Sequence, residues 1–261
     1  MLKRSCGRNY LTMSRQTKLH VEPFLKWAGG KRWLIASGQL PMPGRFGRFV
    51  EPFLGSGAVY FSLQPRRALL SDINIELITL YKQIKAAPDI LRCLMDKHQR
   101  NHSQTYYYEV RSQVPRTNMK AAAGILYLNR TCWNGLYRVN LRGQFNVPIG
   151  TKDTVVFESD DFGRLARTLK GAILRCSDFE AVVDDCAEGD FLYVDPPYTV
   201  QHNFNGFLKY NERIFTWADQ KRLCADACEG PRRGELTPRG PARAADGRHQ
   251  GGKSNEPRRK P

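Results

Sequence analysis

The stretch FLYVDPPY at residues 191–198 joins a short apolar run to a rigid, polar end. An apolar run that stops at a turn-forming sequence is typical of a buried β-strand, and this one stops at Asp195. Pro196 and Pro197 lack backbone N–H donors and stiffen the chain, which leaves the carbonyl groups there available as acceptors. The sequence therefore predicts a strand whose carboxyl end presents a carboxylate, carbonyl oxygens and the ring of Tyr198.

The same order of strand, polar turn and helix recurs along the chain. Three further apolar runs end in an acidic or Gly-rich turn: residues 46–53 before Gly55 and Gly57, residues 68–70 before Asp72, and residues 172–174 before Asp178. Patterns with the period of an α-helix follow at residues 58–63 and 73–84. This alternation predicts an α/β fold with a parallel, Rossmann-like sheet. Ligands of such sheets bind at the carboxyl ends of the strands, so we expect these polar residues to converge.

Each upstream turn also has a purely structural interpretation. Gly55 and Gly57 let the backbone approach a ligand closely, and a tight structural turn would require them equally. Asp72 suits the two hydroxyl groups of a ribose, and it also suits the N-cap of a helix that begins at Ile73. Neither turn decides the function by itself.

Residues 27–31, WAGGK, combine an aromatic ring, two glycines and a cation. They are not a phosphate-binding loop, because the earlier Gly of that motif is missing and Arg32 replaces its Ser or Thr. Trp27 and Lys31 fit a pocket for a nucleoside that carries a carboxylate. An ordinary turn with a solvated Lys fits the same residues.

The end of the fourth apolar run carries the sharpest functional signal. An exocyclic amino group on a planar base needs acceptors for its N–H bonds and an aromatic platform for its ring. Asp195 and the carbonyl of Pro196 supply the acceptors, and Tyr198 supplies the platform. The alternative is a rigid turn that only ends the strand.

The charge of the chain indicates a polyanionic partner. The formal net charge is +16 and the isoelectric point is near 9.7. Neutralising phosphates releases counterions and favours binding, so nucleic acid is the partner that we expect. A basic, solubilising surface is the alternative.

The seven cysteines are scattered and show no zinc-ligand spacing with His, so we expect reduced thiols and no bound metal. No apolar run approaches the roughly 20 residues of a membrane helix. The basic lead at residues 1–20 lacks the apolar stretch of a signal peptide. We therefore expect a cytoplasmic protein without a membrane partner, and we favour a monomer.

Six segments resemble, in the same order, the motifs of the Dam-type DNA adenine-N6 methyltransferases. They are PFLKWAGGK at 23–31, VEPFLGSG at 50–57, LSDIN at 70–74, LNRTCWNGLYRVN at 128–140, GQFNVPIG at 143–150 and DPPY at 195–198. The resemblance implies an adenine-specific methyltransferase that uses S-adenosylmethionine and acts on double-stranded DNA, with GATC as its target. It also implies a set of cofactor-binding residues: Trp27, Lys31, Gly55, Gly57, Asp72 and Asp195.

The resemblance further implies a direct transfer in which Asp195, Pro196 and Tyr198 are catalytic. The adenine leaves the duplex stack, which costs a few kcal/mol, and Tyr198 stacks on it. Asp195 and the Pro196 carbonyl accept from the N6 hydrogens, and N6 then attacks the sulfonium methyl in line. Neither a metal nor a covalent enzyme intermediate is expected.

The family pattern divides the chain into a methyltransferase core at residues 21–87 and 171–223 and a target-recognition insert at residues 88–170. Four polar residues flank aromatic side chains in a predicted β-hairpin of this insert: Asn134, Arg138, Asn140 and Arg142. Arg and Asn suit bidentate contacts with guanine and adenine edges. Contacts with phosphates, which position the protein without specifying a sequence, are the alternative.

Residues 224–261 differ in kind from the rest of the chain. They are rich in Pro, Gly and Arg and contain no aromatic residue, so the tail is predicted to be disordered. The family continues after residues 215–220 with a helix and further strands. The abrupt change near Cys224 suggests a frameshift or a truncation. We therefore expect an incomplete sheet with an unpaired edge, low stability and weak or absent activity.

Two other classes of function remain open at this point. An enzyme of this design could methylate another planar amine, such as cytosine N4, adenine in RNA or a protein glutamine. The long insert and the basic charge disfavour the glutamine. The non-enzyme alternative is a remnant that binds DNA or is inactive because its core is incomplete.

Overall fold

The computed structural model describes residues 10–11, 21–31, 37, 40, 42–140, 142–197 and 215–229. A short antiparallel pair, β1 (Tyr10–Leu11) and β2 (Met42–Pro43), precedes four parallel strands: β3 (Phe49–Glu51), β4 (Ala68–Asp72), β5 (Ala172–Cys176) and β6 (Phe191–Leu192). The four strands form one sheet in the order β5-β4-β3-β6. The predicted parallel α/β sheet is therefore confirmed.

The two central strands are apolar because both faces of the sheet are covered. Val50 of β3 pairs with Leu69 of β4 on one side and with Leu192 of β6 on the other. Val50 and Leu69 are fully buried, as expected for the centre of a parallel sheet. β3 is shorter than the predicted strand at residues 46–53. It ends before Pro52, which has no N–H to donate to a strand ladder.

Eight helices surround this sheet in the part of the chain that the structure describes. They are α1 (Ala58–Leu63), α2 (Ile75–Ala86), α3 (Pro88–Asn101), α4 (Gln104–Ser112), α5 (Asn118–Thr131), α6 (Phe162–Leu169), α7 (Phe179–Val183) and α8 (Trp217–Glu229), with a 3-10 turn at Trp133–Gly135. Helix α1 has the predicted bounds. None of these described helices is long and apolar enough to cross a membrane.

Helix α2 begins two residues later than predicted because Asn74 caps it. The side-chain oxygen of Asn74 accepts hydrogen bonds from the N–H groups of Glu76 (3.0 Å) and Leu77 (3.1 Å). Ile73, which the periodic pattern assigned to the apolar face, precedes the helix and is 57% exposed. The interpretation of Asp72 as the N-cap was therefore wrong, and its carboxylate has other partners.

Residues 88–170 are an insertion in the chain but not a separately packed unit. The segment lies between β4 with its following helix α2 and β5, which pairs directly with β4. Its helices α3, α4 and α5 contribute Leu91, Tyr107 and Leu126 to the same hydrophobic core as Leu70 of β4 and Leu77 of α2. The segment at residues 88–170 is thus attached to the sheet through a continuous core.

Helix α8 crosses the point where the sequence changes character. Leu223 and Phe215 pack with Phe179 of α7, and the helix continues through Cys224 to Glu229. The predicted start of disorder at Cys224 was therefore wrong by several residues, and residues 230–261 lie outside the described part. Within the described residues, β6 pairs with β3 alone, so its other edge has no strand partner there.

Candidate active site

A cavity of about 530 Å³ lies at the carboxyl ends of the four parallel strands. Its lining falls within residues 27–31, 51–59, 72–76, 137–143, 177–179, 193–197 and 215–219. The strand-end residues Gly55, Asp72, Asp178 and Asp195 all contribute to it, as the polarity of parallel strands requires. The structure thus brings together these four residues, of which the first and the last are 140 positions apart in the sequence.

The turn after β3 owes its shape to two glycines. Gly55 and Gly57 have left-handed backbones, with φ values of 48° and 63°. A Cβ atom on Gly55 would lie 2.8 Å from Cδ1 of Trp27, and one on Gly57 would lie 2.9 Å from the hydroxyl oxygen of Tyr81. Because both approaches are closer than side-chain contacts allow, each position requires glycine, and Trp27 lies directly against the turn.

Asp72, the last residue of β4, holds two turns together. Its Oδ2 accepts a hydrogen bond from the N–H of Gly55, and its Oδ1 accepts from the N–H of Asn74, both at 3.0 Å. Burial raises the pKa of the Asp72 carboxyl, and these N–H donors oppose the rise. Each carboxylate oxygen can accept a second hydrogen bond, so this cavity-lining side chain is also able to bind a ligand hydroxyl.

An ion pair joins the two sequence motifs that lie furthest apart. Nζ of Lys31 lies 2.7 Å from Oδ2 of Asp195 and also donates to the carbonyl of Gly29 at 2.8 Å. The Lys31 and Asp195 side chains are only 11% and 23% exposed. Pro196 and Pro197 continue the cavity wall beyond them. Tyr198, the predicted stacking residue, lies outside the described residues.

Two stacked aromatic rings form another wall of the cavity. The ring centroids of Trp27 and Tyr137 are 5.1 Å apart with an interplanar angle of 26°. The hydroxyl of Tyr137 donates a hydrogen bond to Oε2 of Glu76 at 2.6 Å, which ties the ring to helix α2. The predicted cofactor side and the predicted recognition segment therefore meet at this cavity.

Glu51, at the end of β3, is a site residue that the sequence interpretation missed. It lines the cavity, is 3% exposed, and its Oε2 has no hydrogen-bond partner among the described residues. Burial, and then the charges of Asp195 and Asp72, raise the pKa of the Glu51 carboxyl well above its usual value. An acidic residue at a strand end was the available signal, since the same position identified Asp72 and Asp195.

The cavity is acidic although the chain as a whole is strongly basic. Six acidic side chains line it beside a single described cation of the lining, Lys31: Glu51, Asp72, Glu76, Asp178, Asp195 and Asp219. Arg222, outside the lining, pairs with Asp178 and Asp219 at 3.2 Å each. The formal net charge of the whole chain is +16. Such a lining favours a ligand that carries positive charge, and Lys31 provides one point for a negative group.

The four predicted DNA-binding residues lie on one loop, but not within the cavity lining. Asn134 is exposed with a left-handed φ of 55°, and Nε of Arg138 donates to Oδ1 of Asn146 at 2.8 Å. The Arg142 guanidinium is exposed and has no hydrogen bond to another described residue. The predicted hairpin is reduced to a turn closed by one antiparallel bridge, between Val139 and Phe145.

Asn140 shapes this turn from inside. Its side-chain oxygen accepts hydrogen bonds from the N–H groups of Arg142 (2.9 Å) and Gln144 (3.0 Å), and its amide nitrogen donates to the Gln144 side chain at 3.0 Å. Such bonds are typical of an Asx turn. Asn140 therefore has a structural role that the sequence pattern did not predict.

A parallel α/β sheet with a cavity at its carboxyl edge places the chain in the class of open α/β proteins that bind ligands beyond their strand ends. The family model for the D12 class N6 adenine-specific DNA methyltransferase matches residues 27–228 of this chain. The chain belongs to this family. The match extends four residues past Cys224, where the composition changes.

Curated relatives of this chain are themselves methyltransferases. A type II methyltransferase of Lactococcus lactis subsp. cremoris is 37% identical over 222 residues, which are 82% of this chain and 78% of the relative. The DNA adenine methylase of Haemophilus influenzae is 34% identical, covering 80% of this chain and 75% of the relative. That of Escherichia coli is 33% identical, covering 79% and 75%. The predicted family and transferase class are thus confirmed.

Proposed function

We propose that this chain transfers a methyl group from S-adenosylmethionine to N6 of adenine in duplex DNA, with the cavity at the strand ends as its active site. The observation that carries the proposal is the Lys31–Asp195 ion pair inside the acidic cavity. It places the carboxylate of the Asp195 motif beside the segment that carries Trp27. The nucleic acid and the cofactor would meet where these two segments touch.

The residues present fit this cofactor. A volume of about 530 Å³ is within the range of ligand pockets, which hold roughly 300–1,000 Å³. S-adenosylmethionine carries a sulfonium and an ammonium group, which suit the acidic lining, and one carboxylate, which suits Lys31. The two oxygens of Asp72 suit the ribose hydroxyls. Gly55 lines the cavity beside them, whereas Gly57 lies outside the lining and lets the turn pack against Tyr81. When bound, the cofactor supplies an electrophilic methyl group.

The residues of the chain would position the amine that receives this methyl group. The Asp195 carboxylate and the Pro196 carbonyl would accept hydrogen bonds from the two N6–H groups. Pro196 and Pro197 have no N–H of their own that would compete for these acceptor oxygens. These bonds keep electron density on N6 and fix its direction of approach, so positioning supplies much of the rate. Tyr198 would stack on the adenine ring, which leaves the duplex before transfer.

The loop at residues 133–146 would contact the DNA. Arg142 and Asn134 are exposed there, whereas Asn140 is bonded within the turn. We propose that Arg142 contacts a guanine edge, that Arg138 and Asn134 support the loop against the duplex, and that GATC is the target. Asn140 would then act by holding the loop in shape. A cytoplasmic protein would have direct access to this substrate.

Mass spectrometry of nucleosides tests the proposal directly. Purified protein is incubated with S-adenosylmethionine and a duplex that contains GATC, and the DNA is then digested to nucleosides. We expect N6-methyladenine, and a duplex with a scrambled site should yield much less. N4-methylcytosine would overturn the base assignment. If no methylated nucleoside forms, the alternative of an inactive or DNA-binding remnant is favoured, as the sequence change near Cys224 suggested.

A further inference from the structure

Asn129 connects its own helix with a segment 103 positions earlier and with the turn six residues later. It lies near the end of helix α5 and is 1% exposed. Its Oδ1 accepts from the N–H of Lys26 at 3.1 Å, and its Nδ2 donates to the carbonyls of Lys26 at 2.8 Å and Gly135 at 3.2 Å. One buried amide thus holds the residue before Trp27 and the turn that begins the recognition loop.

The backbone of Gly135 also lies close to the side chain of Lys26. Gly135 has a left-handed φ of 64°, and a Cβ atom there would lie 2.5 Å from Cδ of Lys26 and 2.9 Å from its Cβ. The next residue after Lys26 is Trp27, and the second residue after Gly135 is Tyr137. Their rings stack at 5.1 Å, and both line the cavity. Asn129 therefore sets the relative position of the two aromatic walls.

We infer that Asn129 is a positioning residue that couples occupancy of the cavity to DNA binding by the loop at residues 133–146. A ligand that packs on Trp27 acts on Tyr137 through the stack and on Gly135 through the Asn129 amide. A shift of Trp27 on ligand binding can therefore reach the loop only through the contacts of Tyr137 and Asn129. The inference rests on the proposed function, because it takes the cavity as the cofactor site and the loop as the DNA contact.

The test compares two buried substitutions on the same helix. Asn129→Leu keeps the size of the side chain and removes all three bonds across the junction. Thr131→Val is the matched control, because Thr131 is fully buried and its hydroxyl donates only to the carbonyl of Tyr127 within the helix, at 2.8 Å. Both variants lose buried hydrogen bonds, but only the first loses the link between segments.

The readout is the ratio of DNA dissociation constants measured without and with saturating S-adenosylhomocysteine, the demethylated cofactor. We expect a ratio of at least about fivefold in the wild type, the lower end of typical coupling between sites. The ratio should stay the same in Thr131→Val and fall to about one in Asn129→Leu. If Asn129→Leu does not fold, Gly135→Ala displaces Lys26 at the same junction and should also lower the ratio.

Failure of this inference differs from failure of the proposed function. A wild-type ratio of one, or an undiminished ratio in the Asn129→Leu protein, would overturn the coupling while cofactor binding and methylation persist. No binding of S-adenosylhomocysteine by the wild type would overturn the proposed function, and the coupling with it. A ratio that falls equally in Thr131→Val would show general loosening of α5 and would also overturn the role of Asn129.

Discussion

The cavity at the strand ends and the loop at residues 133–146 are both polar, but they are built in opposite ways. In the cavity, the polar atoms are fixed by other elements: Asp72 is held by Gly55 from the neighbouring turn, and Asp195 by Lys31. In the loop, Asn140 and Arg138 bond to residues within the same short segment. The cavity is therefore organised before a ligand arrives. The loop is joined to the rest of the molecule through Gly135 and Tyr137, but its exposed polar side chains are held only from within it.

Asp195→Ala should produce the largest effect on the cavity side of this comparison. It removes an acceptor for the target amine and leaves Lys31 without its 2.7 Å partner. We expect kcat to fall by about 10²–10³-fold, the usual loss when one preorganised polar group is removed from a transition state. Steady-state methylation rates measure this. Asp161→Asn is the control, since that exposed side chain caps α6, where Asn caps equally well, and otherwise forms only an exposed 3.8 Å ion pair with Arg167. Equal losses in both variants would contradict the assignment.

Glu51→Gln should raise the stability of the protein and weaken its binding of S-adenosylmethionine. Burial raises the pKa of Glu51, so above about pH 4.5 the folded state still holds a proton that the unfolded state has released. The free energy of unfolding therefore falls as pH rises from about 4.5 towards the raised pKa of the folded state. Gln cannot ionise and removes this loss. We expect the melting temperature at pH 7.5 to rise by about 2–4 °C, which corresponds to about 1 kcal/mol.

The same variant should bind S-adenosylmethionine about tenfold more weakly. The Glu51 carboxyl can release its proton when the cationic cofactor binds and then accept about one charge-assisted hydrogen bond, which Gln cannot do. Calorimetry and thermal melts measure the two quantities on one preparation. Glu109→Gln, at an exposed position on α4, should change neither. An unchanged cofactor affinity in Glu51→Gln would remove Glu51 from the site.

Arg142→Ala probes the loop and should leave the cavity untouched. If Arg142 contacts a guanine edge, affinity for the GATC duplex falls by about tenfold while affinity for a scrambled duplex changes little. Binding titrations at two salt concentrations measure this. Arg116→Ala removes one exposed charge elsewhere and serves as the matched control. A uniform loss over both duplexes, with a smaller salt dependence, would identify a phosphate contact instead.

His98→Phe should have the smallest effect, because His98 belongs to neither region. Burial lowers the pKa of His98 to about 4, and its ring stacks on Tyr127 with centroids 4.7 Å apart. In the unfolded state His98 binds a proton near pH 6.5, whereas in the folded state it binds one only near pH 4. The free energy of unfolding therefore decreases as pH falls from about 6.5 to about 4. Phe keeps the stack and cannot bind a proton.

The His98→Phe protein should therefore lose less melting temperature between pH 7.5 and pH 5 than the wild type loses. Its methylation rate at pH 7.5 should be unchanged. An equal change of melting temperature between pH 7.5 and pH 5 in His98→Phe and in the wild type would contradict the assignment of the acid sensitivity to His98.

The strand-end residues were predictable because strand polarity needs only local information. Apolar runs that stop at Gly55, Asp72 or Asp195 predict a shared edge whatever the rest of the chain does. Glu51 obeys the same rule but was missed, because it stands before a Pro and was treated as part of a motif. The start of α2 was misplaced because Asn74, and not Asp72, supplies the cap.

Other features could not be obtained from the sequence. The Asn129 amide bonds to backbone atoms of Lys26, 103 positions away, and backbone atoms carry no residue-specific signal. The internal bonds of Asn140 depend on how one turn closes, which the residue types alone leave open. The continuous core between the sheet and residues 88–170 is likewise a result of packing, which a division by motifs does not reveal.

Calorimetric titration of the wild-type protein with S-adenosylmethionine tests the central claim most directly, with Asp72→Ala and Asp161→Asn alongside. If the strand-end cavity is the cofactor site, the wild type binds one equivalent, Asp161→Asn binds it equally well, and Asp72→Ala binds it at least about tenfold more weakly, the loss expected for hydrogen bonds to a charged group. Undiminished binding by Asp72→Ala, or no binding by the wild type, would contradict the assignment of this cavity.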